Sequence, residues 1–139
     1  MKVNAPVRID ISAGWPDSDP YRKDFGGAVL NAAINLRVKA EFDRKLVTGL
    51  GEAEDYNGLG ASGAVDAAWL VTKNPTLITD KLDLIRSVWQ LQNKIIRQRG
   101  GLQDQAAAVY GGVNLWEFGS GPGEECSIKR TPISPKKAG

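Results

Sequence analysis

Apolar and polar positions alternate at the N-terminus of the chain. In "VNAPVRIDISAG", Val7, Ile9, Ile11 and Ala13 point one way and Arg8, Asp10 and Ser12 the other, which predicts a half-buried strand. "GWPDSDPY" follows, with two prolines, a glycine and two aspartates, and reads as a loop. "GGAVLNAAIN" predicts a second strand, entered through Gly26–Gly27, where a tight turn or close backbone approach suits glycine. "LRVKAEFD" predicts a third strand, with Leu36, Val38, Ala40 and Phe42 on its buried face. "TGLGEAEDYNGLG" is glycine-rich and acidic and predicts a loop.

From Ser62 the period changes. "SGAVDAAWLVTK" predicts a helix with Val65, Ala68, Trp69 and Leu70 as its apolar residues, ended by Asn74–Pro75. Ile78, Leu82, Ile85, Trp89, Gln92 and Ile96 fall at helical spacing, widened by Val88 and Ile95. They predict a long helix over 78–98 that Gly100–Gly101 stops. "LQDQAAAVY" predicts a short helix, "GVNLWEF" a strand, "GSGPGEE" a turn and "CSIKRTPI" a last strand. Strands, then helices, then strands argue for an α+β fold: a mainly antiparallel sheet with helices packed on one face.

The chain has 139 residues, enough for a single domain with a core of its own, and 120–139 reads as a glycine-, proline- and lysine-rich tail. A net charge of +2 with scattered Lys and Arg argues against a nucleic-acid or membrane surface. The lone Cys126 fits a reducing compartment. With no signal peptide or spanning run, the expected location is the cytoplasm. There is no histidine, so chemistry falls to carboxylates, hydroxyls, Lys, Arg or backbone amides.

Three stretches carry candidate chemistry, and each reads in two ways. "GLGASGA" is a glycine loop before an ordinary helix, or a cradle that aims a helix start at phosphate, with Ser62 donating or ligating a cation. It lacks the Gly-Lys-Ser/Thr ending of a Walker loop. Asp104 in "GGLQDQAAAVYGG" is a first-turn aspartate that suits the helix dipole, or a proton acceptor for a substrate hydroxyl. In "APVRIDISAGWPDSDPY", Asp17 and Asp19 cap turns or grip sugar hydroxyls or a cation, and Trp15 covers the core edge or a sugar face.

Taken in order, "APVRIDISAGWPDSDPY…GGAVLNAAIN", "GLGASGA" and "GGLQDQAAAVYGGVNLWEF" resemble the GHMP small-molecule kinases. The branch of L-fucokinases and heptose 7-phosphate kinases is the nearest, and the Trp of "AGWPD" leans toward the fucokinases. The resemblance implies the ribosomal-S5-like N-terminal domain of those enzymes and ATP-dependent phosphorylation of a sugar hydroxyl with Mg2+. It implies that Gly58, Gly60, Ala61 and Ser62 cradle the ATP phosphates and that Ser62 also ligates the metal. Asp104 is then the catalytic base and Arg8 lies near the reacting phosphate. Asp17, Trp15, Gly26 and Gly27 are then on the sugar side. The family's magnesium-binding glutamate falls at Asn93, a neutral and poorer ligand. The family's C-terminal domain, with its further glycine-rich motif, has no counterpart in this sequence. The expectations are therefore a shortened kinase, or a nucleotide- or sugar-binding module or half-enzyme that needs a partner domain, with an uncovered apolar face and self-association.

Overall fold

The computed structural model describes residues 2–12, 16–42, 44–47, 59–97 and 100–134. Strand β1 (Lys2–Asp10) leads through a loop to the short helix α1 (Tyr21–Phe25) and then to β2 (Gly27–Glu41) and β3 (Arg44–Val47). Helices α2 (Ala61–Lys73), α3 (Lys81–Gln90) and α4 (Gln103–Tyr110) follow, then β4 (Val113–Phe118) and β5 (Ile128–Pro132). The sheet is antiparallel throughout, in the order β1-β2-β4-β5. β3 pairs with the end of β2, on the edge away from β1. The α+β architecture expected from the sequence is the one observed. Among the described residues no helix is long and apolar enough to cross a membrane.

β2 is one continuous strand where the hydrophobic pattern suggested two. No turn residue separates Asn35 from Leu36, so the break in pattern is a bulge and not a chain reversal. Pro6 pairs with Arg37 but Arg8 pairs with Ala33, so Val7 alone lies opposite Ile34, Asn35 and Leu36. A register jump of this kind changes which side chains face the core. On β2 the buried positions pass from Val29 and Asn31 to Val38 and Ala40. On β1 they pass from Ala5 and Val7 to Arg8. The expected burial of Ile9 and Ile11 is therefore reversed: they are 48% and 53% exposed, while Arg8 turns inward. Phe42, expected on a buried face, is also exposed.

The helices cover one face of the sheet. Ala64, Ala67, Ala68 and Val71 of α2 recur at helical spacing and are buried. Small side chains there let α2 lie close to Ala5, Val7, Val38 and Ala40 of the sheet and to Ala108 of α4. Ile85 and Trp89 of α3 close a second cluster with Val29, Leu102, Trp116 and Phe118.

The long helix expected over 78–98 is broken at both ends. Ile78 lies instead in a 3-10 helix, Pro75–Thr79. Asp80 then starts α3 by accepting the Asp83 N–H at 3.0 Å. Beyond Gln90 the chain makes a π turn, Leu91–Ile95, closed by the Ile96 N–H donating to the Leu91 carbonyl. The wider turn shifts the helical phase, so Leu91 and Gln92 are buried while Ile95 and Ile96 are exposed. Gln92, the one polar residue of the expected stripe, is buried because its Nε2 donates to Asp66 of α2 at 3.0 Å.

One element has no clear mark in the sequence pattern. α1 begins at the last residue of the stretch that reads as loop, and its Arg22 is fully buried. Arg22 donates to the carbonyls of Gly119 and Gly121 at 3.0 Å each and to Asp19 at 2.8 Å, which fastens α1 to the far end of the sheet. Within 120–139, β5 forms in "CSIKRTPI", where the pattern predicts a last strand.

Ile85 and Ile95 separate the observed helix from the expected one. Ile85→Ala is expected to cost about 2–5 kcal/mol in urea unfolding. Ile95→Ala, at an exposed position, is expected to change stability by less than about 0.5 kcal/mol.

Candidate active site

The bulge supplies the first element of the site. Past it, Arg8 and Asp10 project toward the helices. The backbone N–H of Arg8 donates to the Leu59 carbonyl at 2.8 Å, tying the glycine loop to β1. Gly60 then turns the chain into α2 with φ of 71°, a left-handed conformation that favours glycine. Ala61 and Ser62 are the first two residues of α2, and Ser62 is exposed. The first bond of the helix runs from the Ala64 N–H to the Gly60 carbonyl. The N–H groups of Ala61, Ser62 and Gly63 therefore have no acceptor within the helix, the usual state of a helix start.

Asp104 is the second residue of α4. Its Oδ1 accepts from Arg8 Nε and is paired with Arg8 Nη2, both at 2.8 Å. The Arg8 side chain is 9% exposed and that of Asp104 31%, so the pair is sunk into the protein with the aspartate at its mouth. α2 starts directly against this pair. A Cβ at Gly60 would stand 2.9 Å from the Asp104 carboxyl carbon and 3.1 Å from Arg8 Cγ. One at Gly63 would stand 2.6 Å from the Asp104 Cβ. These glycines admit the aspartate, which gives the loop composition a packing reason independent of any ligand.

Burial raises the Asp104 carboxyl above its ordinary value of 3.8. Arg8 opposes the rise, and Asp17 and Asp10 add to it. Removal from water outweighs the single ion pair.

Asp17 lies beneath the mouth, 3% exposed. Its Oδ2 accepts the N–H groups of Leu102 at 2.9 Å and Gln103 at 3.0 Å, and its Oδ1 accepts Gln103 Nε2 at 3.3 Å. Gly101 packs on the same carboxylate, and a Cβ there would overlap it. Asp10 accepts Gln103 Nε2 at 3.3 Å and both donors of Ser12 at 3.0 Å.

Of the residues singled out in the sequence, Arg8, Gly60 and Asp104 meet at one point, with Ala61 and Ser62 following Gly60 and Asp17 just below. Gly26 and Gly27 serve chain packing. Gly26 ends α1 with φ of 73°, and a Cβ at Gly27 would overlap the Pro16 carbonyl. Trp15 and Gly58 lie outside the described residues.

The assignment of Asn93 to a metal is not supported. Its Nδ2 donates to the carbonyls of Trp89 at 2.9 Å and Gly100 at 3.1 Å, and its Oδ1 accepts the Gly100 N–H at 3.2 Å. The amide is used to clamp the turn before α4. Among the described residues no cluster of three or more His, Cys, Asp or Glu is placed to hold a metal ion.

The sequence reading missed Asp10, Gly63 and Gln103. Gly63 and Gln103 stood inside the quoted motifs, so adjacency was a usable signal. Asp10 was read as solvated because the bulge was not foreseen.

Gly63→Ala is expected to destabilise the fold by about 1–3 kcal/mol, measured by urea unfolding. The better helix propensity of alanine, about 1 kcal/mol, does not offset its overlap with Asp104. The raised Asp104 value also predicts a sign. The folded state holds the proton more tightly than the unfolded chain. This contribution to stability is fully present below 3.8 and is lost as pH rises through the folded value. Stability curves of the chain and of Asp104→Asn are expected to diverge over that window and run parallel above it.

No family model matches the chain. Over 32 residues, 23% of the chain and 3% of the relative, it is 53% identical to the L-fucokinase/L-fucose-1-P guanylyltransferase of Bacteroides fragilis. Its fold is similar to that of a D-glycero-D-manno-heptose 1-phosphate kinase from Bacteroides thetaiotaomicron. That match has a TM-score of 0.73 at 23% identity and covers 98% of this chain and 60% of the other. A protein from Campylobacter jejuni assigned as a sugar kinase matches with a TM-score of 0.58 at 17% identity, over 96% of this chain and 56% of that one. The chain thus spans under two thirds of the length of either solved structure. Fold along nearly the whole chain and sequence over a short segment together bear out its resemblance to sugar kinases.

Proposed function

We propose that the chain is the phosphoryl-transfer part of a GHMP-type sugar kinase, with the S5-like fold of that family's N-terminal domain. It uses ATP to phosphorylate a hydroxyl of a fucose- or heptose-type sugar. The observation that carries this reading is the meeting of Arg8, Asp104 and the start of α2 at one point. Phosphoryl transfer needs positioning and charge neutralisation more than covalent help, and such a point offers both.

In this reading Asp104 takes the proton of the sugar hydroxyl. A carboxylate held above its ordinary range is a stronger proton acceptor than a solvated one. Arg8 orients that carboxylate and places a positive charge beside the group in transfer. The N–H groups at the start of α2, from Ala61 onward, face the nucleotide phosphates, and Gly60 allows their close approach. Magnesium enters with the nucleotide. Asn93 does not fit as its ligand, and no step here depends on a resident ion.

One observation favours another reading: Asn93, where the resemblance puts a magnesium carboxylate, spends its neutral amide on Trp89 and Gly100, which suits a half-enzyme or binding module that holds nucleotide or sugar without turnover. Calorimetric titration with ATP and a coupled kinase assay on L-fucose and heptoses separate the two: binding with turnover supports the kinase, and binding without turnover supports the half-enzyme.

Asp104→Asn is expected to lower kcat by about 10²–10⁴-fold while ATP still binds. Activity that survives the substitution removes Asp104 as the base. The active form is the deprotonated one, so kcat/KM is expected to rise with pH through a midpoint above 3.8.

A further inference from the structure

Asp17 is a carboxylate of the site that the proposed reaction leaves without a task. The family resemblance puts it against the sugar, yet it is buried and both its oxygens take protein donors. Those donors matter because of where they lie. Leu102 and Gln103 immediately precede Asp104, and α4 has no cap of its own: Leu102 stands in the cap position and offers no side-chain acceptor. A helix start needs acceptors for its first N–H groups. Here the acceptor comes from the other end of the sequence, across the fold.

The same turn is pinned on its remaining sides. The Gln103 amide is shared between Asp17 and Asp10. The Gln103 carbonyl accepts from Asn31 Nδ2 at 3.3 Å, and Asn31 Oδ1 accepts from Trp116 Nε1 at 3.1 Å. Asn31 and Trp116 are fully buried.

We propose that Asp17 is a positioning residue for Asp104: its buried carboxylate caps α4 from across the fold and holds Asp104 against Arg8 and Gly60, and it does not contact the sugar. This deepens the sugar-kinase reading and rests on it for the role of Asp104 as base. Among the described residues the charged groups facing Asp104 are Arg8 and Asp10 from β1 and Asp17 from the loop; the first turn of α2 carries no acidic side chain. Asp17 thus acts on Asp104 through its charge as well as through the backbone.

The test uses the whole chain and Asp17→Asn, which keeps the shape but removes the charge and one acceptor. Two readouts need no substrate. Amide hydrogen exchange at Leu102 and Gln103 is expected to speed up about tenfold or more. The NMR titration midpoint of the Asp104 carboxyl is expected to fall by about half a pH unit or more. In the unsubstituted chain, the Leu102 and Gln103 amides are expected to exchange slowly, since Asp17 supplies the acceptor that α4 lacks; fast exchange there overturns the proposal even if the variant does not fold. With sugar and ATP, kcat is expected to drop about 10- to 100-fold with the sugar KM within about twofold. A raised sugar KM with kcat and the Asp104 midpoint unchanged would overturn the proposal and restore Asp17 as a sugar contact. If the unsubstituted chain transfers no phosphate, the kinase reading fails, while exchange and titration still decide what Asp17 holds.

Discussion

A strand beside a single layer of helices buries one face, and β1 buries parts of both. The jump in register opposite Ile34–Leu36 is what allows it. Before the jump β1 contributes Ala5 and Val7 to an apolar core, and after it the strand sends Arg8 and Asp10 in under the same helices. A buried guanidinium needs an anion. Asp104 supplies it, and the starts of α2 and α4 then converge on the pair because Gly60 and Gly63 leave room. Each later feature of the site follows from that one irregularity. Without it Arg8 would point at solvent and the aspartate would have no partner in the wall.

The polar interior behind the pair is built on the same terms. Asp17, Gln103, Asn31 and Trp116 are all nearly inaccessible, and each has its hydrogen bonds. Buried polar groups are costly when unpaired and rigid when paired. The chain that links them runs from the centre of the sheet to the first turn of α4, so the orientation of Asp104 is set by the core and not by an exposed loop.

Much of this was legible in the sequence, and the failures have identifiable causes. α2, α4 and β4 announced themselves through period, glycine breaks and Pro75, because local pattern and tertiary packing agreed there. The pairing of Arg8 with Asp104 was not in any local pattern; only the resemblance placed the two near one reaction. The bulge escaped because a strand of even alternation on either side of Val7 gives no sign that its partner carries extra residues. The π turn escaped for the related reason that it alters phase without altering composition, so Ile95 and Ile96 looked like core. Asn93 follows from the spacing of the resemblance alone, and a spacing does not show that the amide is taken up by Trp89 and Gly100. Arg22 gave the least warning, since a basic residue in a loop-like stretch is ordinarily solvated.

The pairing of β2 bears on how the chain is made. Its first residues, Gly27–Ala32, pair with β4, with Gly27 opposite Phe118, while β1, which precedes it, pairs from Asn31 onward. While a ribosome is still extending the helical segment, that edge of β2 has its backbone donors and acceptors open. An unpaired strand edge is a template for another chain. Closure waits until the β4 residues emerge, and Arg22 cannot reach Gly119 and Gly121 before then. The nascent protein therefore passes through a stage in which the centre of its finished sheet is an open border, the kind of edge on which chains associate.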